Sequence, residues 1–265
     1  MARDLVTAEA FVLRTVDYAD AHVIVTLLAR DIGKFGAIAR SARRSRKRFG
    51  GALLPLRGVR VTAEFKPNRD LAELDSATVS HDFPGLEESY EKIAVASYAT
   101  ELVRSYLRDG DEANDVFELL GDFYGRLAES EADLAVLRFV LHHFELELLR
   151  IAGAAPSLDR CHRCGARIET FDRLRCGRDG HGLVCEDCVQ PGMRYGILAP
   201  QTMEVLAYLQ SPHGRPPEAI ADHDVGAQVR RLLDASLELV LDATLKSRAM
   251  LDSVMNPAPL PEVSR

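Results

Sequence analysis

The sequence has no apolar run that approaches the roughly 20 residues needed to span a bilayer. Its first residues, MARDLVT, also lack the apolar block of a secretory signal peptide. We therefore expect a cytoplasmic protein without a membrane segment. With 265 residues and 47% hydrophobic content, the chain can form one large domain or two smaller ones.

Familiar catalytic motifs are also missing. There is no G-x-x-x-x-G-K-[ST] phosphate loop, no G-x-S-x-G turn and no H-E-x-x-H pair. Acidic residues cluster at 109–115 and 129–133, but these are predicted helix ends and loops, where solvation and the helix N-terminal charge explain them. A nuclease would need a carboxylate pair for magnesium, and the spacing identifies none. We predict that the protein is not an enzyme.

Only five cysteines are present, and four of them form two C-x2-C pairs separated by 20 residues. Two such pairs offer four thiolates at the corners of a tetrahedron, which is the geometry that zinc favours. A site with four cysteines leaves no position for water, so the metal would be structural. The predicted ligands of one Zn²⁺ per chain are Cys161, Cys164, Cys185 and Cys188.

Two other interpretations of the cysteines fit the sequence less well. Disulfides would need an oxidising compartment, which nothing in the sequence suggests. A redox C-x-x-C would be expected near a βαβ pattern, which is not evident. Cys176 has no partner at pair spacing and is interpreted as a spare thiol, while His162 and His181 are interpreted as solvated loop residues.

The net charge of −7 conceals a strong asymmetry. Residues 30–69 contain twelve basic and two acidic residues, a net charge of +10, against −17 for the remainder. Such an asymmetry is typical of a polyanion-binding face on an otherwise acidic protein. We predict nucleic-acid binding without sequence specificity by Lys34, Arg40, Arg43, Arg44, Arg46, Lys47, Arg48, Arg57 and Arg60.

Phe35 and Phe49 flank this basic stretch and could stack on unpaired bases, or they could equally be core residues. The basic stretch itself could instead be a solvated charged loop. A protein–protein scaffold, in which zinc and helices carry the function and the basic loop docks an acidic peptide, is the alternative function.

The hydrophobic pattern changes near residue 82. Before it, five segments alternate like strands and predict a small β-barrel, with an OB-type barrel as one candidate: 8–16, 22–29, 35–41, 58–66 and 71–80. After it, five segments have helical periodicity: 87–107, 115–128, 134–151, 200–210 and 225–246. The cysteine loop at 158–196 lacks an apolar stripe and interrupts the helices.

The predicted fold is therefore multidomain β + α. It consists of a β-barrel domain at 1–82, a helical domain at 83–157 that resumes at 197–255, a zinc module at 158–196 and a disordered tail at 256–265.

These features together resemble the bacterial RecO family of recombination mediators. The similarity lies in Glu9–Arg14 leading to Asp17–Asp20, in Gly33–Arg40, in the basic Ser41–Arg48 continuing into Phe49–Pro55, and in the late four-cysteine insertion with Gly182–Cys185. It covers nearly the whole chain except about the last ten residues. No single motif is unique, whereas their combination is specific.

The resemblance implies an N-terminal OB-fold, a helical domain and a zinc module. It also implies a non-enzymatic DNA-repair protein that binds single- and double-stranded DNA and anneals complementary strands. The implied partners are RecR, the C-terminal tail of the single-stranded-DNA-binding protein and, indirectly, RecA, which is loaded onto coated DNA. Its implied location is the cytoplasm, in association with the nucleoid. Some members of the family lack the cysteines, so zinc is not expected to be needed for the shared activity.

Overall fold

The computed structural model describes residues 5–170, 174–177, 179–191, 195–211, 217–241 and 244–255. The chain divides into two compact units, Met1–Glu129 and Ser130–Arg265. This mixture of a β-sheet N-terminal region and helices confirms the predicted β + α architecture. The predicted disordered tail at 256–265 lies outside the described residues.

Five strands of the first unit form a closed ring in the order β1-β2-β3-β5-β4. Their bounds are β1 (Leu5–Tyr18), β2 (His22–Ala29), β3 (Gly33–Ala39), β4 (Gly58–Glu64) and β5 (Ala72–His81). The ring closes because β1 pairs with both β2 and β4, while β3 pairs with β5. The β3–β5 pair is parallel. All five predicted strand segments are confirmed.

The interior of this barrel is filled by small and branched side chains that alternate with outward residues, as period-two strands require. Val25, Leu27 and Ala37 are fully buried there. A register shift between Val12 and Arg14 interrupts the alternation on β1. Such a bulge changes which residues of a strand face outward beyond it.

Three helices complete the first unit: α1 (Arg46–Phe49), α2 (Tyr90–Tyr106) and α3 (Asn114–Glu129). The Ser89 side chain caps α2 by accepting a hydrogen bond from the Lys92 N–H. An aromatic cluster ties β1 to α3, with ring centroids of Phe11 and Phe117 4.7 Å apart and those of Phe11 and Tyr124 5.6 Å apart. At Gly33, which has φ +82°, a Cβ would lie 1.9 Å from the Asp111 carbonyl oxygen, so only glycine fits this approach of the barrel to the loop after α2.

The described helices of the second unit are α4 (Leu134–Ile151), α5 (Pro200–Gln210), α6 (His223–Leu237) and α7 (Arg248–Met255). Asp133 and Asp222 cap α4 and α6 with their side chains. No helix among the described residues is both long and apolar enough to cross a membrane.

The prediction that α6 would extend to residue 246 is wrong. The helix ends at Leu237, and the next turn tightens as the N–H groups of Leu239 and Val240 donate to the carbonyls three residues earlier. Val240 and Leu241, which follow this end, are only half-buried. The apolar periodicity continued past the point where the backbone turns.

A buried charge network joins α4, α6 and α7. Glu145 is fully buried, with its carboxylate 2.9 Å from the His142 Nδ1 and 2.7 Å from an Arg230 guanidinium nitrogen. Arg230 also pairs with Asp234 at 2.6 Å, and Asp234 in turn accepts two hydrogen bonds from Arg248. Each buried carboxylate therefore has a cationic partner, which is the condition under which charge is tolerated in an interior.

Candidate nucleic-acid interface and cysteine cluster

Residues 40–48, the basic segment, follow β3 and are fixed against one end of the barrel. The Arg43 N–H donates to the Ala21 carbonyl at 3.3 Å, and the Ser41 N–H donates to the His22 Nδ1 at 2.9 Å. Phe49, at the end of α1, is 3% exposed and lies in the barrel core. The segment is therefore an anchored surface that presents side chains, and not a loose loop.

Three cations of the basic segment are presented to solvent. Arg44, Arg46 and Lys47 are exposed, and none of their side chains has a hydrogen bond or ion pair with another described residue. They lie within four consecutive positions that span a short 3₁₀ turn and α1. Guanidinium and ammonium groups in this state can contact phosphates without first losing an internal partner.

Three further predicted cations are exposed but already paired with acids. The Arg43 Nη2 lies 2.5 Å from Asp17, the Arg40 Nε 3.1 Å from Glu73, and the Arg60 Nε 2.7 Å from Glu9. Hydrogen bonds lower the pKa of two of these carboxyls. A hydrogen bond from Lys66 lowers the pKa of Glu73. At Glu9, burial raises the pKa, but hydrogen bonds from Ser80 and Arg60 lower it by more. A phosphate would have to compete with these carboxylates, so such cations are weaker anchors.

The remaining three predicted DNA contacts have internal roles. The Lys34 side chain is 13% exposed, and its Nζ donates to the Arg104 and Leu107 carbonyls at 3.1 and 2.5 Å and pairs with Asp109 at 3.2 Å. Arg48 donates to the Arg40 carbonyl at 2.6 Å, and Arg57 donates to the Gly51 carbonyl at 3.1 Å. The Lys34 ammonium is therefore satisfied by internal partners where it ties β3 to the end of α2, which makes it a weaker candidate for a phosphate contact than the exposed cations.

Of the two alternatives left open for Phe35 and Phe49, stacking or core, the structure favours the core. Both rings belong to the barrel core, where they are 8% and 3% exposed. The Phe35 ring packs against Phe65, with centroids 5.1 Å apart. A base needs an open ring face for stacking, and neither residue offers one.

The predicted zinc ligands do come together. The Sγ atoms of Cys161, Cys164, Cys185 and Cys188 all lie within 4.8 Å of one another. The Cys164 and Cys185 sulfurs are 3.8 Å apart, whereas a disulfide needs about 2 Å. Tetrahedral Zn–S bonds of about 2.3 Å would place two sulfurs about 3.8 Å apart, so the donor set and its spacing suit a tetrahedral metal ion.

Protonation of the four thiols is uneven. Burial raises the pKa of Cys161, but hydrogen bonds from the backbone N–H groups of Cys185, Cys164 and Arg163 more than offset this and lower it to about 6. Hydrogen bonding to the Cys185 and Cys164 thiols raises the pKa of Cys188 to about 12. One thiolate thus forms readily, while the raised pKa values of Cys185 and Cys188 favour protons that a bound divalent cation would displace.

The cysteines are held by more local structure than the sequence indicated. A three-stranded sheet of β6 (Leu174–Gly177), β7 (Leu183–Cys185) and β8 (Tyr195–Ile197), in the order β7-β6-β8, lies in the predicted loop. Cys185 ends β7, and Gly182 precedes it at φ +119°, where a Cβ would lie 2.3 Å from the Ser157 carbonyl oxygen. Strands of three or four residues are too short to give a periodic signal, so sequence reasoning missed this sheet.

Residues near the cluster have clear positions. Cys176 is buried on β6 and is not one of the four clustered thiols. His162 is not a solvated loop residue as predicted, since its ring is largely covered and its Nε2 lies 3.5 Å from an Asp179 carboxylate oxygen. His181 is exposed, as expected.

Comparison with known proteins identifies both halves of the chain. Residues 1–83 match the family model "Recombination protein O N terminal", and residues 87–249 match "Recombination protein O C terminal". A protein of Anaeromyxobacter dehalogenans (strain 2CP-C) is 37% identical over 257 residues, which cover 95% of this chain and 97% of the relative. A protein of Geobacter metallireducens is 32% identical over 246 residues, covering 93% and 96%. Both relatives are named DNA repair protein RecO.

A β-sheet region at 1–83 and a helical region with a cysteine cluster at 87–249, each matched by a recombination-protein model, define the class as a recombination protein. Within that class, the chain belongs to the RecO family.

Proposed function

We propose that this protein is a non-enzymatic mediator of DNA repair and homologous recombination. It binds single- and double-stranded DNA without sequence specificity and anneals complementary strands. With RecR it helps to load RecA onto DNA coated by single-stranded-DNA-binding protein, whose C-terminal tail it contacts. It acts in the cytoplasm, in association with the nucleoid. Membership of the RecO family supports this role, and the exposed, unpaired Arg44, Arg46 and Lys47 are the observation that carries it.

The physical basis of DNA binding is phosphate neutralisation. Each cation that contacts a phosphate releases condensed counterions, so affinity falls steeply with salt. The helix within the basic segment, α1, has only four residues, which does not suit base reading by a helix lying in the major groove. Contacts confined to phosphates hold any sequence, and by reducing repulsion between strands they let two complementary strands meet and pair.

The barrel is the platform for these contacts. We interpret the closed five-stranded ring as an OB-fold, in agreement with the family of the N-terminal region. Its function in this proposal is to hold the basic segment at one end through Phe49 and the Arg43 backbone. A rigid support fixes where the phosphates bind, while the exposed side chains remain adaptable.

The cysteine cluster holds one structural Zn²⁺ in this proposal. Four thiolates would complete its coordination and leave no open position for water, so the ion stabilises local structure and supplies no chemistry. The two C-x2-C turns are then joined through the metal instead of through an apolar core. DNA contacts on the barrel do not depend on this site.

The test of DNA binding is a charge-reversal variant. Fluorescence anisotropy of a labelled poly-dT strand is measured over a salt series for wild type and for Arg44→Glu/Arg46→Glu/Lys47→Glu. If each cation neutralises one phosphate, losing three contacts lowers affinity by about 100-fold near 0.1 M salt. The slope of log affinity against log salt concentration should become shallower by about 2. Strand annealing, followed with complementary labelled strands, should slow in parallel.

The matched control is Arg126→Glu/Arg231→Glu/Lys246→Glu, which reverses three exposed cations outside the basic segment and carries the same net charge. Circular dichroism should show both variants folded. Equal affinities for the two variants at each salt concentration would contradict the assignment of the binding surface.

The alternative function is a zinc-containing scaffold whose basic segment docks an acidic peptide. Exposed cations also suit carboxylates, so the same three residues support it. The salt series separates the two proposals. No binding of poly-dT by wild type at low salt, together with binding of a labelled acidic peptide, would favour the scaffold.

A further inference from the structure

An apolar stripe crosses the outer face of the barrel. Past the bulge in β1, Val16 pairs with Ile24 on β2, and Ile24 pairs with Ile38 on β3. Cross-strand partners project from the same face of a sheet. Val16 is exposed and the two isoleucines are half-buried, so a contiguous row of three apolar side chains lies at the surface.

Tyr18 continues this face at the end of β1. It lies two residues beyond Val16, pairs with His22 and is 51% exposed. The alternation of side chains places it on the same side as Arg14 and Val16. An exposed tyrosine beside an apolar row offers a ring face that the buried Phe35 and Phe49 cannot.

The basic segment begins at the same end of the barrel. The turn that follows Tyr18 leads to Ala21, whose carbonyl accepts the Arg43 N–H at 3.3 Å, and Asp17, the neighbour of Tyr18, pairs with Arg43. Arg44 and Arg46 follow within three residues. On β1, Arg14 lies two residues from Val16 on the side opposite Tyr18; it is exposed, and its side chain has no hydrogen bond or ion pair with a described residue.

We propose that Tyr18 stacks on an unpaired base, that the Val16–Ile24–Ile38 row supports the neighbouring base, and that Arg14 and Arg44 hold the flanking phosphates. This inference rests on the proposed DNA-binding function and deepens it by identifying a single-strand subsite. Exposed base faces linked by charged phosphates are characteristic of single-stranded nucleic acid. In a duplex, stacking and pairing cover the base faces. The cations bordering the row favour that occupant over a purely apolar protein surface.

The size of the effect follows from the contact. Loss of one base–aromatic stack lowers affinity by about 5- to 150-fold, equivalent to about 1–3 kcal/mol. Only ligands with an accessible base should show it. The basic segment, in contrast, should affect every ligand with phosphates, whether or not bases are present.

The experiment measures anisotropy with three labelled ligands of equal length: a poly-dT strand, an abasic strand and a blunt duplex. Wild type is compared with Tyr18→Ala, with Tyr18→Phe, which keeps the ring, and with Tyr90→Ala, which removes another exposed tyrosine of the same unit. We expect Tyr18→Ala to lose at least fivefold in affinity for poly-dT and less than twofold for the other ligands. Tyr18→Phe and Tyr90→Ala should bind all three like wild type.

Two outcomes would overturn the subsite. Tyr18→Ala could bind poly-dT as tightly as wild type, or it could lose affinity equally for the abasic strand, which would indicate a change unrelated to bases. In either case the Arg44/Arg46/Lys47 reversal still tests the phosphate contacts independently. Its loss of affinity for all three ligands would leave the proposed function standing without the stacking subsite.

Discussion

Two charged regions of this molecule use the same residue types in opposite ways. In the basic segment, Arg44, Arg46 and Lys47 face solvent and have no partner among the described residues. In the network of the second unit, Arg230 lies between Glu145 and Asp234 at 2.7 and 2.6 Å and is largely covered. The difference shows that burial and pairing, and not the identity of the side chain, decide whether an arginine is available to a ligand.

The physical reason is the local dielectric. An exposed charge interacts weakly with its neighbours and is screened by salt. A buried charge must be paired, because an unpaired one costs far more than the pair contributes. The exposed region should therefore control binding with little effect on stability, and the buried region should control stability with little effect on binding.

The largest expected effect is on stability, from Arg230→Met. The change leaves the fully buried Glu145 without its guanidinium partner, and removing one member of a buried pair costs about 3–5 kcal/mol. Urea unfolding followed by circular dichroism should show a correspondingly lower midpoint. Arg231→Met, an exposed neighbour on α6, is the control and should change little. Equal midpoints for the two variants would contradict the role of the network.

A smaller loss is expected from Lys34→Met. The Nζ of Lys34 donates to two backbone carbonyls and pairs with Asp109, so removing it should cost about 1–3 kcal/mol of stability. Affinity for poly-dT should remain within twofold of wild type. Lys47→Met is the matched control and should behave in reverse, losing DNA affinity while keeping the wild-type unfolding midpoint. A marked loss of DNA affinity in Lys34→Met alone would restore its predicted role as a phosphate contact.

The buried network should also make stability depend on pH. Burial lowers the pKa of His142, while that of Glu145 is lowered because Arg230 and His142 outweigh burial, and that of Asp234 because Arg248 and Arg230 do so. All three groups bind fewer protons folded than unfolded. Their contribution to the free energy of unfolding is therefore complete above pH 6.5, the ordinary pKa of histidine. It is lost as the pH falls, first because His142 must be protonated and then, below about pH 4.5, because the acids must be.

Urea midpoints at pH 8, 6.5 and 5.5 measure the histidine part of this dependence. His142→Asn removes the titrating group and keeps a donor that can reach Glu145, so its midpoint should vary less over this range. The same slope in wild type and variant would show that another group is responsible.

The smallest effect on DNA binding is expected from removing the proposed zinc ion. Chelation, or Cys161→Ser/Cys164→Ser, should release one Zn²⁺ per chain, measured by metal analysis, and loosen the module around β6 and β7. Affinity for poly-dT should stay within twofold, because the cations that bind it lie on the barrel. A large loss of affinity on chelation would mean that the two regions are coupled.

Local sequence patterns predicted several features of this protein. The C-x2-C spacing identified the four clustered thiols, since short turns between paired cysteines leave few other geometries. Period-two alternation identified all five barrel strands, and the charge asymmetry located the basic segment. Each of these signals is contained within a short stretch of chain.

Other features depended on contacts between residues far apart in sequence. Lys34 meets carbonyls some 70 residues away, and Phe35 and Phe49 are buried in the barrel core. The bulge in β1 turns Tyr18 outward. Composition alone could not distinguish these residues from Arg44 and Lys47. Local sequence order thus specifies which chemical groups are available and which of them are neighbours along the chain. Whether a group is exposed or paired depends on the folded structure, because burial is set by packing between distant segments.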